Sequence, residues 1–133
     1  MDFGQYRLVR RLGVGGMAEA YEAIRSGRSG FTQRVCLKLV LPFFVEDPDF
    51  IQLFEREARL AATLRHSNIV GVIDFGEIDG RSYMALELVD GPDLRILLDQ
   101  QAGKRLAPEL VTLLGLELAR ALEHAHQPRA ASP

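Results

Sequence analysis

Leu12-Gly13-Val14-Gly15-Gly16-Met17-Ala18-Glu19-Ala20-Tyr21-Glu22-Ala23-Ile24-Arg25 is the stretch on which the fold turns. Ahead of it, Tyr6 to Leu12 alternates loosely, as a strand does. The glycines suit a tight turn, and they also let backbone N–H groups approach phosphate oxygens with no Cβ in the way. The residues after them read in two ways. Met, Ala and Glu favour a helix by intrinsic propensity. A helix here would make a βαβ unit that holds a dinucleotide pyrophosphate at its N-terminus. As a strand, Ala18 to Arg25 would instead pair antiparallel with the strand before it. The dinucleotide unit expects an acidic residue about twenty positions on, near the end of the second strand. That strand ends at Leu41-Pro42-Phe43-Phe44 without one. The helix would also have only about two turns, short for a crossover. A P-loop fails sooner, because no Gly-Lys-Ser/Thr follows the glycines.

Outward from this stretch, Ser26-Gly27-Arg28-Ser29-Gly30 has the composition of a loop. Thr32 to Leu41 is β-branched and apolar, and Pro42 stops it. Asp47 and Pro48 then supply a cap and a first turn for a helix running to Leu64. Phe50, Phe54, Ala58, Ala61 and Leu64 share one face of it. Strands are predicted for Val70 to Gly76 and Arg81 to Val89, joined at Asp79-Gly80, a strong hairpin signal. Asp90-Gly91-Pro92 breaks the pattern; helices follow at Leu94 to Gln101 and Pro108 to His126. The tail, residues 127–133, has no periodicity and is expected to fray. The order of elements is that of an α+β fold.

Two charges stand where apolar residues are expected. Lys38 lies in Val35-Cys36-Leu37-Lys38-Leu39-Val40-Leu41, a strand apolar on both faces. A lone ammonium there costs several kcal/mol unless it is paired or reaches water. Glu57 interrupts the helix's apolar stripe in the same way. Snorkelling to the strand edge and the stripe's border would relieve each separately. An ion pair between them would relieve both at once.

Bulk properties exclude several classes. The chain of 133 residues is 47% hydrophobic and 26% charged with a net charge of −2, which describes a globular domain rather than a disordered one. Its mixed charges give no electrostatic case for nucleic acid or a membrane surface. No segment approaches the roughly 18 uninterrupted apolar residues of a membrane span, and no signal peptide is visible, so a cytoplasmic location is expected. The single cysteine, Cys36, has no sequence partner for a disulfide and no nearby base that would make it a catalytic thiol. His124 and His126 point about 200° apart on a helix and cannot chelate one metal together.

The glycine-rich hairpin, the strand lysine and the helix glutamate together resemble a protein kinase, closest to the eukaryotic-like serine/threonine protein kinases of bacteria. The resemblance runs from about Tyr6 to His126. Leu12 to Tyr21 is similar to the family's phosphate-covering loop, and Val35-Cys36-Leu37-Lys38 to its V-A-I-K. His66-Ser67-Asn68-Ile69-Val70 is similar to its H-P-N-I-V, and Met84-Ala85-Leu86-Glu87-Leu88-Val89-Asp90-Gly91 to its interlobe linker. The resemblance implies a five-stranded antiparallel N-lobe with one regulatory helix over residues 1–89. The linker's end and the first two C-lobe helices follow over 90–126. It implies that ATP lies against Leu12, Gly13, Val14, Gly15, Gly16, Met17, Ala18, Ala20 and Cys36. Lys38 would hold its α- and β-phosphates and Glu57 would hold Lys38. Leu86 would be the gatekeeper, backbone groups of Glu87 and Val89 would meet the adenine edge, and Asp93 the ribose.

Three positions depart from the family pattern. Ala18 replaces the third glycine of the loop. Ala20 replaces a valine over the adenine, removing apolar contact at roughly 0.8 kcal/mol per methylene-sized group. Cys36 replaces an alanine opposite it. After the long helix, where the family carries H-R-D-x-x-x-x-N and then D-F-G, the sequence reads His124-Ala125-His126-Gln127-Pro128-Arg129-Ala130-Ala131-Ser132-Pro133. With the catalytic aspartate and the principal Mg²⁺ ligands missing from these positions, the expectation is weak ATP binding and no phosphoryl transfer by this polypeptide alone. The 108–126 helix is apolar almost all round: Leu110, Val111, Leu113, Leu114, Leu116, Leu118, Ala121 and Leu122. It is therefore expected to expose a patch for a protein partner or for self-association.

Overall fold

The computed structural model describes residues 1–127; apart from Gln127, the tail expected to fray lies outside the described residues. The elements in chain order are β1 (Asp2–Phe3), β2 (Tyr6–Val14), β3 (Ala18–Ser26), β4 (Thr32–Val40), α1 (Pro48–Ala62), β5 (Val72–Ile78), β6 (Arg81–Glu87), α2 (Leu94–Asp99) and α3 (Pro108–His126). The stretch after the glycines is a strand. Its nine residues pair with β4 in one unbroken antiparallel register, from Ala18 opposite Val40 to Ser26 opposite Thr32. A helix preference of a few tenths of a kcal/mol per residue does not survive that ladder and the burial of Ala18 and Ala23. The dinucleotide-binding alternative falls with it, because every described strand pairing is antiparallel and no crossover helix joins β2 to β4.

The sheet order is β1-β2-β3-β4-β6-β5. It contains the five expected strands and a sixth, the two-residue β1, which pairs with the start of β2. The Asp79-Gly80 turn is as anticipated, both residues having positive φ, 51° and 77°, in the two-residue hairpin between β5 and β6.

Two compact units form the chain: Met1–Arg65 with Val70–Leu88, and His66–Ile69 with the residues from Val89 on. In the first, β4 divides its side chains between two cores. Val35, Leu37 and Leu39 pack on one face of the sheet with Tyr6, Ala23, Tyr83 and Ala85. Val40 packs on the other with Ala18, Met84 and the α1 residues Phe50, Phe54 and Ala58. A run of rings fixes α1 on that face, Phe44 to Phe50 at 4.7 Å and Phe54 to β5's Phe75 at 6.2 Å. The start of α1 is set by Asp47, whose carboxylate accepts from the N–H groups of Asp49 and Phe50 at 3.1 and 3.2 Å.

In the second unit, the Asn68 amide donates to both the backbone carbonyl and the carboxylate of Glu117 on α3, at 3.0 and 2.6 Å. The His66 and His124 rings lie 5.2 Å apart beside that contact. Asn68 and then Arg120 hold the Glu117 carboxyl below its ordinary range. The leucines of α3 are exposed, from 37% at Leu110 to 62% at Leu118, and only Ala121 of that helix is buried. No helix of the described residues is long and apolar enough to cross a membrane.

Candidate functional site

A cavity of about 500 Å³ opens under the β2–β3 loop, lined by Gly13, Val14, Gly15, Gly16, Met17, Ala18, Ala20, Lys38, Phe50, Leu53, Phe54 and Glu57. The loop that roofs it is anchored at its far end, where Leu41 N–H donates to the Met17 carbonyl at 2.9 Å and Gly15 N–H to the Ala18 carbonyl at 2.8 Å. Arg81 braces the same end, donating to the Val40 carbonyl at 2.7 Å and to Glu19 at 2.9 Å.

The loop glycines are not there for packing. A Cβ on Gly13 or Gly16 would meet no atom within 4 Å, and one on Gly15 would make only ordinary contact with the Ala18 carbonyl. None of the three has positive φ. By contrast, a Cβ on Gly71 would come within 2.7 Å of the Glu87 carboxylate, and one on Gly76 within 3.2 Å of the Tyr83 hydroxyl. At 71 and 76 an added side chain would press on its neighbours. At 13 and 16 glycine leaves bare backbone facing open space, which suits a phosphate group's approach.

Lys38 projects into the cavity from β4 and donates to Glu57 of α1 at 3.3 Å. The two partnerless charges of the sequence are thus each other's partners. The burial that made them conspicuous is smaller than expected, however, since the side chains are 34% and 58% exposed. Such a pair adds at most about 1 kcal/mol to stability. Its geometry suits holding an ammonium in place better than holding the fold together.

The register places Ala20 opposite Lys38, and Lys38 opposite Met84. Cys36 stands opposite Leu86 one step along the same face. Cys36 is half-buried, and desolvation pushes its thiol pKa up against the opposing pull of Lys38. Leu12 is 39% exposed and does not line the cavity, whereas Ala18 is buried against α1. Glu87 commits its N–H to the Gly71 carbonyl at 3.0 Å. Val89 and Asp93 belong to the other unit. There Asp93 has a structural task, since its carboxylate caps α2 by accepting from Ile96 N–H at 2.8 Å.

Three features escaped the sequence reading. Leu53 and the edges of Phe50 and Phe54 form the helix-side wall of the cavity. Glu22 is a buried carboxylate clamped by Arg34 at 2.8 Å and Arg10 at 2.6 Å. Those hydrogen bonds, Arg34's first, hold it below the ordinary carboxylate range. Asp74-Phe75-Gly76 spells the family's metal-binding D-F-G but lies in β5. Its carboxylate accepts from the hydroxyls of Tyr6 and Tyr83 at 3.1 and 2.9 Å. Burial, with the Asp74 charge beside it, pushes the Tyr6 hydroxyl's pKa well up. This tripeptide is a packing element of the sheet. Among the described residues no group of three His, Cys, Asp or Glu side chains could hold a metal ion.

A six-stranded antiparallel sheet with one helix on its face, a glycine hairpin and a lysine–glutamate pair beneath it define a kinase N-lobe-like fold. The family profile described as "Protein kinase domain" matches residues 6–130. The chain belongs to the protein kinase family. Among its relatives, the tyrosine-protein kinase MasK of Myxococcus xanthus (strain DK1622) is 39% identical over 127 residues, 94% of this chain and 20% of that one. The serine/threonine-protein kinase PknE of Mycobacterium bovis is 40% identical over 125 residues, 94% of this chain and 21% of that one. A crystal structure of the Mycobacterium tuberculosis PknI kinase domain superposes with a TM-score of 0.74 at 34% identity, over 96% of this chain and 50% of that one. The chain therefore spans about a fifth of the curated relatives' length and half of the solved kinase domain.

Proposed function

We propose that this chain is the nucleotide-holding part of a bacterial eukaryotic-like kinase domain whose intact relatives transfer the γ-phosphoryl group of ATP to protein serine or threonine. The observation that carries the reading is the Lys38–Glu57 pair set beneath a loop whose glycines no packing demand explains. On this reading the bare backbone of Gly13–Met17 lies over the phosphates, and Lys38 neutralises charge on the α- and β-phosphates. Glu57 holds the ammonium where that contact is made. Ala20, Cys36 and Leu86 bound the adenine, with Ala20 giving it less apolar contact than a larger side chain would. Backbone of Glu87 and Val89 and the carboxylate of Asp93 are assigned to the adenine edge and ribose.

Phosphoryl transfer needs an aspartate to orient the acceptor hydroxyl and side chains to hold Mg²⁺. Among the described residues no three His, Cys, Asp or Glu side chains converge, and the Asp74 carboxylate of the D-F-G in β5 is engaged by two tyrosines. As this polypeptide, the chain is proposed to bind ATP weakly and to transfer nothing. Calorimetric titration of ATP with and without Mg²⁺ tests this: weak binding little changed by Mg²⁺ is expected, and tight Mg²⁺-dependent binding or measurable phosphorylation contradicts it.

A second reading, a non-catalytic module that works through protein contact, is favoured by the exposed leucines of α3. It expects a defined self-association or a specific complex that Leu114→Asp or Leu118→Asp abolishes. Aggregation without stoichiometry, unchanged by either substitution, counts against it.

A further inference from the structure

The cavity under the glycine loop has one side that a polyphosphate does not account for. Its strand side offers Lys38 and bare loop backbone; its helix side has the Glu57 carboxylate beside Lys38 at one end and is otherwise carbon: Leu53, half-exposed, with Phe50 and Phe54, and Met17 at the loop tip, 45% exposed. Phosphate oxygens pressed against carbon lose hydration and gain nothing in return. The Lys38 ammonium carries three donors and gives one to Glu57. The two remaining donors, at one end of an apolar wall, match a single carboxylate head at one end of an apolar body.

We propose that this cavity binds one molecule of a medium-chain alkyl carboxylate, its carboxylate on Lys38 and its chain along α1 between Met17 and Leu53. The wall from Phe50 to Glu57 extends about 10 Å along the helix axis, long enough for a medium alkyl chain and too short for a membrane-lipid tail. At about 500 Å³ the cavity falls in the size range of small-molecule sites. Because the carboxylate and the nucleotide phosphates would share Lys38, the acid excludes ATP. That consequence rests on the nucleotide reading; the binding of the acid does not.

The test is calorimetric titration of the whole chain with hexanoate, octanoate and decanoate below their micelle concentrations, with octan-1-ol as the uncharged control. Affinity should rise about fourfold per added methylene, and octan-1-ol should bind far more weakly than octanoate. Leu53→Asp should erase the chain-length dependence. Leu60→Asp, at a position 60% exposed on the same helix and outside the cavity, should preserve it. Lys38→Met should weaken all three acids. No binding, no chain-length dependence, or a Leu53→Asp response like the wild type's overturns the proposal. In a parallel arm, ATP should weaken octanoate binding. ATP that binds without affecting octanoate overturns the shared use of Lys38. Octanoate binding where ATP does not bind at all overturns the nucleotide reading and leaves this one standing.

Discussion

The two faces of the sheet treat their charges in opposite ways. On the face built around Leu37 and Tyr83, Asp74 is partly buried and receives hydroxyl donors from Tyr6 and Tyr83 and a backbone N–H from Phe75. On the face that carries α1, Lys38 and Glu57 stand partly in solvent, joined by one bond of 3.3 Å beside an open cavity. The first arrangement engages its carboxylate with three internal donors and stabilises the fold. The second leaves hydrogen-bonding capacity pointing at space, and binding needs that capacity. The contrast separates residues that maintain the sheet from residues that use it.

The largest effect expected from testing this contrast is on the closed face. Leu37 is fully buried, so Leu37→Ala should lower unfolding free energy by about 2–5 kcal/mol in a urea titration. Asp74→Ala strands two tyrosine hydroxyls, one of them on a residue 1% exposed, and should cost about 1–3 kcal/mol. A loss well below that would break the distinction between the faces. Lys38→Met should move stability by no more than about 1 kcal/mol while weakening ATP binding. Large destabilisation would recast the pair as structural, and unchanged ATP affinity would remove it from the site.

The smallest effect concerns Glu22. Its folded pKa is depressed by Arg34 and Arg10, so the stability it contributes is present above the unfolded value of 4.5 and is lost as pH falls through the folded pKa. Glu22→Gln should therefore flatten the decline in stability below about pH 4.5 and leave the slope between pH 6 and 8 unchanged. An acid slope identical to the wild type's would show that the clamp adds nothing.

The sequence was most informative where one local rule operated. Asp79-Gly80 specified its hairpin, Asp47-Pro48 the start of α1, and the placing of Lys38 and Glu57 at apolar positions the pair. For Ala18 to Arg25 propensity pointed to a helix, and pairing with β2 and β4 on either side made a strand of it. Features that depend on distant partners left no local trace. The strand β1 is two residues long and exists because β2 lies beside it. Glu22 reads as a surface charge until Arg10 and Arg34 converge on it across two neighbouring strands. Leu53 lies just off the apolar stripe of α1 and becomes a cavity wall only when the loop closes over it. Asp93 carries a ribose assignment by resemblance, and its capping bond to Ile96 is a separate, structural task.

The space beneath the glycine loop is proposed to receive a nucleotide. The most direct measurement is the set of backbone amide chemical shifts of the labelled chain, recorded as ATP is added. The account predicts saturable changes concentrated at Gly13, Gly15, Gly16, Met17, Ala18 and Lys38, greatly reduced in Lys38→Met. Shifts that are absent, or that fall mainly on α3 and leave the loop untouched, would contradict it.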